Sequence, residues 1–123
     1  MYSVSKFANI LFTLELSKRL KGTGITANSL HPGVIRTGIW RNIPFPLSLL
    51  FAPVKMCFKT VEEGARTTIF VATEPKLANV TGRFFCDCAE IPLNNRVQDQ
   101  TKREKFWEGS IKIANLQPEE QKI

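Results

Sequence analysis

The sequence predicts an α/β fold in which two short parallel strands are joined by a helix and flanked by a further helix at either end. Three observations predict it. Apolar residues recur at helical spacing over the first twenty positions; a capped helical segment, "TVEEGARTTIFVAT", follows later; and the short apolar runs "ITANSLH" and "GRFFCDC" stand on either side of it. Strand, helix and strand in that order form a βαβ unit, whose strands lie parallel and whose crossover is right-handed almost without exception.

The first element is an amphipathic helix from Tyr2 to Lys21. Val4, Phe7, Ala8, Leu11 and Leu14 fall close to a 3.6-residue period, with Leu16 and Leu20 less regular. Gly22 and Gly24 stop it, and Lys18, Arg19 and Lys21 place cations at the negative end of the helix dipole. "ITANSLH" then runs to Pro32-Gly33, a pair that ends regular structure, and so reads as a short strand closing in a loop. "WRNIPFPLSLLFAPVKMCFK" mixes prolines with bulky apolar side chains and reads as short helices and loops covering an apolar site, a lid at about 40–58.

Thr60 and Glu63 have the spacing of a capping box, which satisfies backbone N–H groups left free at a helix start, so a second helix is expected from about Val61 to Thr73, ending before Pro75. "GRFFCDC" is the next strand, entered through Gly82. A last helix over about Val97 to Ala114 is expected to turn Phe106, Trp107, Ile111 and Leu116 inward. No internal repeat, low-complexity segment or second domain is visible, so 1–123 reads as part of a single domain, with disorder confined to the polar tail "QPEEQKI".

Composition narrows the function classes. With 43% hydrophobic and 23% charged residues the chain is of ordinary globular type. The net charge of +6 is spread along the sequence, and its densest groups, "SKRLK" and "KREK", fall in expected helices as solvated faces. No nucleic-acid partner is expected. Cys57, Cys86 and Cys88 are odd in number, and Cys86-Asp87-Cys88 is too tightly spaced for an ordinary zinc pair, so reduced thiols and no metal are expected. No signal peptide is expected, and the run from Asn42 to Val54 falls short of the roughly 20 apolar residues a membrane span needs. It can touch a membrane surface without crossing one.

The residues that could do chemistry lie at the start. In "YSVSKFAN", Tyr2 and Lys6 share a helix face, because side chains four apart stand one turn above each other. A phenol in water titrates at about 10, too high for a base near neutrality. An ammonium at ~4 Å in an effective dielectric of ~20 favours the phenolate by about 4 kcal/mol before desolvation opposes it. That brings a tyrosine within range of acid–base work at neutral pH. Ser3, Ser5 and Ala8 are small enough to leave room for a ligand, and "HPGVIRT" follows at the carboxyl end of the first expected strand, where open α/β sheets bind ligands.

Together, "YSVSKFAN", "GITANSLHPGVIRT", "TVEEGARTTIFVATEP" and the ending "GRFFCDCAEIP…KFWEGSIKI" resemble the second half of a short-chain dehydrogenase/reductase, and most closely its retinol dehydrogenase branch. The resemblance implies the C-terminal part of a Rossmann-type doubly wound parallel sheet, lacking the N-terminal nucleotide-binding half. It implies hydride transfer between NADP(H), with NAD as the alternative, and an apolar alcohol or aldehyde such as a retinoid. Tyr2 is then the acid–base group and Lys6 the cation that favours its phenolate and hydrogen-bonds the nicotinamide ribose. Pro32, Gly33 and Val34 pass their backbone along the nicotinamide, and Thr37 bonds near its carboxamide or pyrophosphate. Trp40, Phe45, Leu49, Leu50 and Phe51 belong to the substrate lid. His31 merely precedes the Pro-Gly pair and reads as structural. Members of the branch imply a cytoplasmic or cytosol-facing endoplasmic reticulum setting.

The family's glycine-rich pyrophosphate turn and its catalytic serine have no counterpart in these 123 residues. Little or no activity is therefore expected from them alone, and an unpaired sheet edge is expected to give marginal stability or self-association. A truncated product that binds a full-length relative without catalysis is the alternative.

Overall fold

The computed structural model describes residues 2–36 and 58–121. Helix α1 spans Tyr2–Arg19 and β1 spans Ser29–His31; α2 covers Val61–Thr73, followed by a 3-10 turn at Pro75–Leu77. Strands β2 (Phe84–Cys86) and β3 (Ala89–Glu90) form a hairpin, and helices α3 (Asn95–Gln98) and α4 (Gln100–Ala114) lead to a last 3-10 turn at Pro118–Gln121. Thr37 and the expected lid residues Trp40, Phe45, Leu49, Leu50 and Phe51 lie outside the described residues.

β1 and β2 pair in parallel with Ser29 opposite Phe84 and His31 opposite Cys86, so the strand–helix–strand reading holds. The sheet is not all parallel, however. β3 returns antiparallel from β2, with Cys86 opposite Ala89, which leaves a two-residue turn of Asp87 and Cys88. Both have positive φ, 51° and 59°, as the mirror-image turn that suits the twist of a hairpin requires. Asp87 suits the first position of this turn, but Cys88 stands where glycine usually does, so the sequence carries only half of the hairpin signal. Among the described residues β1 pairs on one side only, the sheet order being β1-β2-β3.

The first strand is also shorter than expected. Residues 25–28 run beside 80–83 without ladder pairing because side chains replace it: Ala27 N–H donates to Thr81 Oγ1 at 3.0 Å, Asn28 Nδ2 to the Val80 carbonyl at 2.7 Å, and Arg83 N–H to Asn28 Oδ1 at 3.0 Å. These clamps deliver β1 to its register with β2, and so place His31 and the loop that follows it.

Helix α2 matches its expected bounds because its cap decides them. Thr60 Oγ1 accepts from Glu63 N–H at 3.1 Å and Glu63 Oε2 accepts from Thr60 N–H at 2.8 Å, the reciprocal capping box. Gly64, buried in the first turn, lets the helix approach the loop after β1 closely: a Cβ there would stand 2.3 Å from Ile35 Cδ1. Adjacent strand residues point to opposite faces. Phe85, only 2% exposed, meets Phe70 of α2 edge-on at 6.3 Å between ring centres, whereas Phe84 shares a cavity with Phe7 and Ile10 of α1. Helices therefore cover both faces of the sheet.

The other packed contact joins α1 to α4. Trp107 is buried, stacks on Phe12 at 5.3 Å between ring centres, and has the Arg19 guanidinium 4.7 Å above it. Glu15, only 1% exposed, accepts from Arg19 Nε at 3.0 Å and so neutralises the cation on the indole. An apolar period gives no warning of a buried carboxylate there. The expected single last helix is broken at Asp99, whose extended backbone and side chain, accepting from Lys102 N–H at 3.2 Å, start α4 afresh. Leu116, expected inward, is 40% exposed. Its N–H instead closes the helix on the Ile111 carbonyl at 3.2 Å, with Asn115 left-handed at φ 52°.

Two carboxyls hold α4 in place, and both titrate below their ordinary values. The Lys102 backbone N–H, followed by the Lys102 side chain, lowers Asp99, and hydrogen bonds from Lys18 and then Gln100 lower Glu104. Groups depressed on folding contribute stability above their unfolded values, ordinarily 3.8 and 4.5, and lose it as pH falls through the folded ones. Thermal melts should therefore show the midpoint steady from neutrality to about pH 5 and falling below about pH 4. A midpoint that rises on acidification through that window contradicts this assignment.

Candidate active site

α1 delivers Tyr2 and Lys6 to one face, as their spacing requires. Lys6 Nζ lies 5.4 Å from the centre of the Tyr2 ring, a cation–π contact. The expected ammonium–phenol pairing thus takes the form of an ammonium over the ring face. Tyr2 is 75% exposed and its hydroxyl is open to a partner. Ser5 Oγ donates to the Tyr2 carbonyl at 2.7 Å, which turns that hydroxyl back onto the helix and keeps the turn narrow.

Facing this pair is the loop that β1 feeds. β1 ends at His31, and Pro32 follows before Gly33 takes φ +86°, a conformation open to glycine and costly for other residues. Tyr2, Ser3, Lys6, His31, Pro32 and Gly33 line one cavity of about 560 Å³, floored by the apolar side chains of Ile10 and Phe84. The volume falls within the roughly 300–1,000 Å³ range of cofactor and ligand pockets. A phenol and an ammonium on one wall, a backbone without Cβ opposite and an apolar floor fit the nicotinamide end of a dinucleotide.

Of the expected site residues, Tyr2, Lys6, Pro32 and Gly33 come together around this cavity. Val34 stands just past it, 53% exposed, with its carbonyl accepting from Lys59 N–H at 2.9 Å. His31, an exposed side chain at the strand end, faces the cavity rather than the core.

Two residues that no sequence spacing singled out lie behind the loop. Lys59 follows the expected lid and Asp87 sits in the β2–β3 turn, yet their side chains form an ion pair. The hydrogen bond from Lys59 is the main cause that holds the Asp87 carboxyl below its ordinary 3.8, and the same bond raises Lys59 above 10.5. The pair stays ionised across the neutral range. Among the described residues no group of three or more His, Cys, Asp or Glu could hold a metal ion, and no helix is long and apolar enough to cross a membrane.

The family model described as short chain dehydrogenase matches residues 1–45, which contain both walls of the cavity. The chain is 47% identical over 118 residues to retinol dehydrogenase 14 of Homo sapiens, covering 94% of this chain and 35% of that protein. It is 38% identical over 116 residues to retinol dehydrogenase 12 of Mus musculus, with 94% and 36% covered. It is 39% identical over 119 residues to the chloroplastic short-chain dehydrogenase TIC 32 A of Brassica napus, with 95% and 37% covered. The chain thus spans about a third of the length of the relatives it matches. It is similar to members of the short-chain dehydrogenase/reductase family and, among them, to retinol dehydrogenases.

Proposed function

We propose that this chain supplies the acid–base and nicotinamide-facing portion of an oxidoreductase, the C-terminal part of its Rossmann-type sheet, acting with NADP(H) on an apolar alcohol or aldehyde such as a retinoid. The observation that carries the reading is the meeting of Tyr2 and Lys6 with Pro32 and Gly33 across one cavity at the carboxyl end of β1. NADP in preference to NAD, and a retinoid in preference to another lipid, rest on similarity to retinol dehydrogenases alone. A cytosol-facing setting, with contact to a membrane surface, is proposed on the same ground.

The bound nicotinamide supplies or accepts the hydride. The chain's own residues do the rest. The Tyr2 hydroxyl gives a proton to the substrate oxygen as an aldehyde is reduced, or takes it as an alcohol is oxidised. Lys6, one helical turn away with its ammonium over the Tyr2 ring, holds the ribose side of the site. Gly33 presents bare backbone, so the loop approaches the cofactor more closely than any side chain would permit. Ile10 and Phe84 give the cavity an apolar patch on which an apolar substrate can lie. We propose further that these 123 residues by themselves turn over little or no substrate, since they hold no glycine-rich pyrophosphate turn.

A titration followed by nicotinamide fluorescence tests the reading. NADPH should change in intensity or wavelength on adding the chain, and Lys6→Ala should weaken that response roughly tenfold or more, the scale of a lost charge-assisted hydrogen bond. Absence of any response favours a second reading, a non-catalytic chain that docks on a relative. The apolar side chains of Val4, Phe7 and Phe12, 71%, 38% and 43% exposed along α1, are the observation in its favour.

A further inference from the structure

We propose that Lys59 and Asp87 are positioning residues for the Pro32-Gly33-Val34 loop, holding from behind the backbone that faces the cofactor. The inference rests on the nicotinamide reading of that loop, and it begins with hydrogen bonds independent of any ligand.

Lys59 grips the loop through its main chain. Its N–H donates to the Val34 carbonyl at 2.9 Å and its carbonyl accepts from Arg36 N–H at 3.0 Å, a parallel bridge centred on Ile35. Its side chain then runs along the space that a Cβ at position 33 would fill, with Cδ and Nζ both 2.9 Å from where that atom would stand. Glycine at 33 therefore answers two demands, a positive φ and room for the lysine stem. Beyond it, Nζ pairs with the Asp87 carboxylate.

Asp87 is a fixed anchor because the turn around it is fixed. It follows Cys86, the register partner of His31, and precedes Cys88, whose N–H donates to the buried Thr67 Oγ1 at 3.3 Å. The Gly33 loop, the start of α2 and the β2–β3 turn are thus joined at one point. A surface ion pair by itself is worth little, and Asp87 is 65% exposed. Here its value is geometric. It keeps the lysine stem extended behind a glycine that has no side chain of its own to set the loop.

The test is amide hydrogen exchange combined with NADPH titration on the wild-type chain and Asp87→Asn. Asparagine tolerates the same left-handed backbone, so the turn survives while the charge is lost. In Asp87→Asn the Arg36 and Lys59 amides should exchange roughly tenfold faster, while Ser29, which donates to Arg83 across β1–β2, keeps its rate. NADPH affinity should fall roughly tenfold with an unchanged melting temperature. Wild-type exchange at Arg36 and Lys59 in Asp87→Asn overturns the tether. Faster exchange with unaltered NADPH affinity overturns the positioning role and the cofactor assignment of the loop, and leaves only a structural clasp.

Discussion

Phe85→Ala should remove about 3–5 kcal/mol of folding stability, the loss typical of deleting a buried aromatic side chain and leaving its cavity. Phe85 is the central residue of β2, 2% exposed, and meets Phe70 of α2 edge-on. The surrounding elements cannot collapse into the space, because α2 is already in contact with the loop at Gly64 and Ile35 and β2 is paired on both sides. Domains of this size hold only about 5–15 kcal/mol in total, so at the lower end of that range a large share of the molecules would unfold. Urea melts of the two proteins measure the difference. A change under about 1 kcal/mol would mean that the contact between sheet and α2 does not carry the fold.

Much of this fold is legible in the sequence, and the legible parts share a cause. The α2 bounds follow from Thr60 and Glu63, the end of α1 from Gly22 and Gly24, and the strand pairing from the order of elements, all of them local signals. What the sequence hides is tertiary. The β2–β3 turn is hidden because Cys88 stands at positive φ where this turn usually has glycine, and buried Glu15 because its reason for burial, Arg19 over Trp107, depends on a helix about ninety residues away. The candidate site divides in the same way. Tyr2 with Lys6 and Pro32 with Gly33 are pairs readable from spacing. Lys59 and Asp87 are 28 residues apart and meet only because α2 and β2 bring them to one corner.

The second large effect concerns chemistry, and it follows from the exposed Tyr2 hydroxyl beside Lys6. Removing a positioned acid–base group costs roughly 10²–10⁴ in rate. Tyr2→Phe deletes one oxygen and leaves the ring under the Lys6 ammonium, so the cation–π contact and the helix start are kept. In a full-length frame that turns substrate over, turnover should fall on that scale with cofactor affinity within about threefold of the Tyr2 form, because phenylalanine removes the proposed proton donor and not the wall of the cavity. A Lys6→Ala change should instead weaken both, since on the proposed reading it removes a cofactor contact together with the ammonium over the Tyr2 ring.

The most direct measurement places this chain where its relatives have the matching stretch. Retinol dehydrogenase 14 of Homo sapiens, with which it shares 47% identity over 118 residues, provides the remaining two-thirds of a full-length frame. Hydride transfer between NADP(H) and a retinoid is then followed in the chimaera with Tyr2 and with Tyr2→Phe. Turnover is expected in the first and a loss of roughly a hundredfold or more in the second, with NADPH bound equally by both. Equal turnover by the two chimaeras, at equal cofactor binding, would contradict the assignment of Tyr2 as the acid–base group and with it the reading of the site.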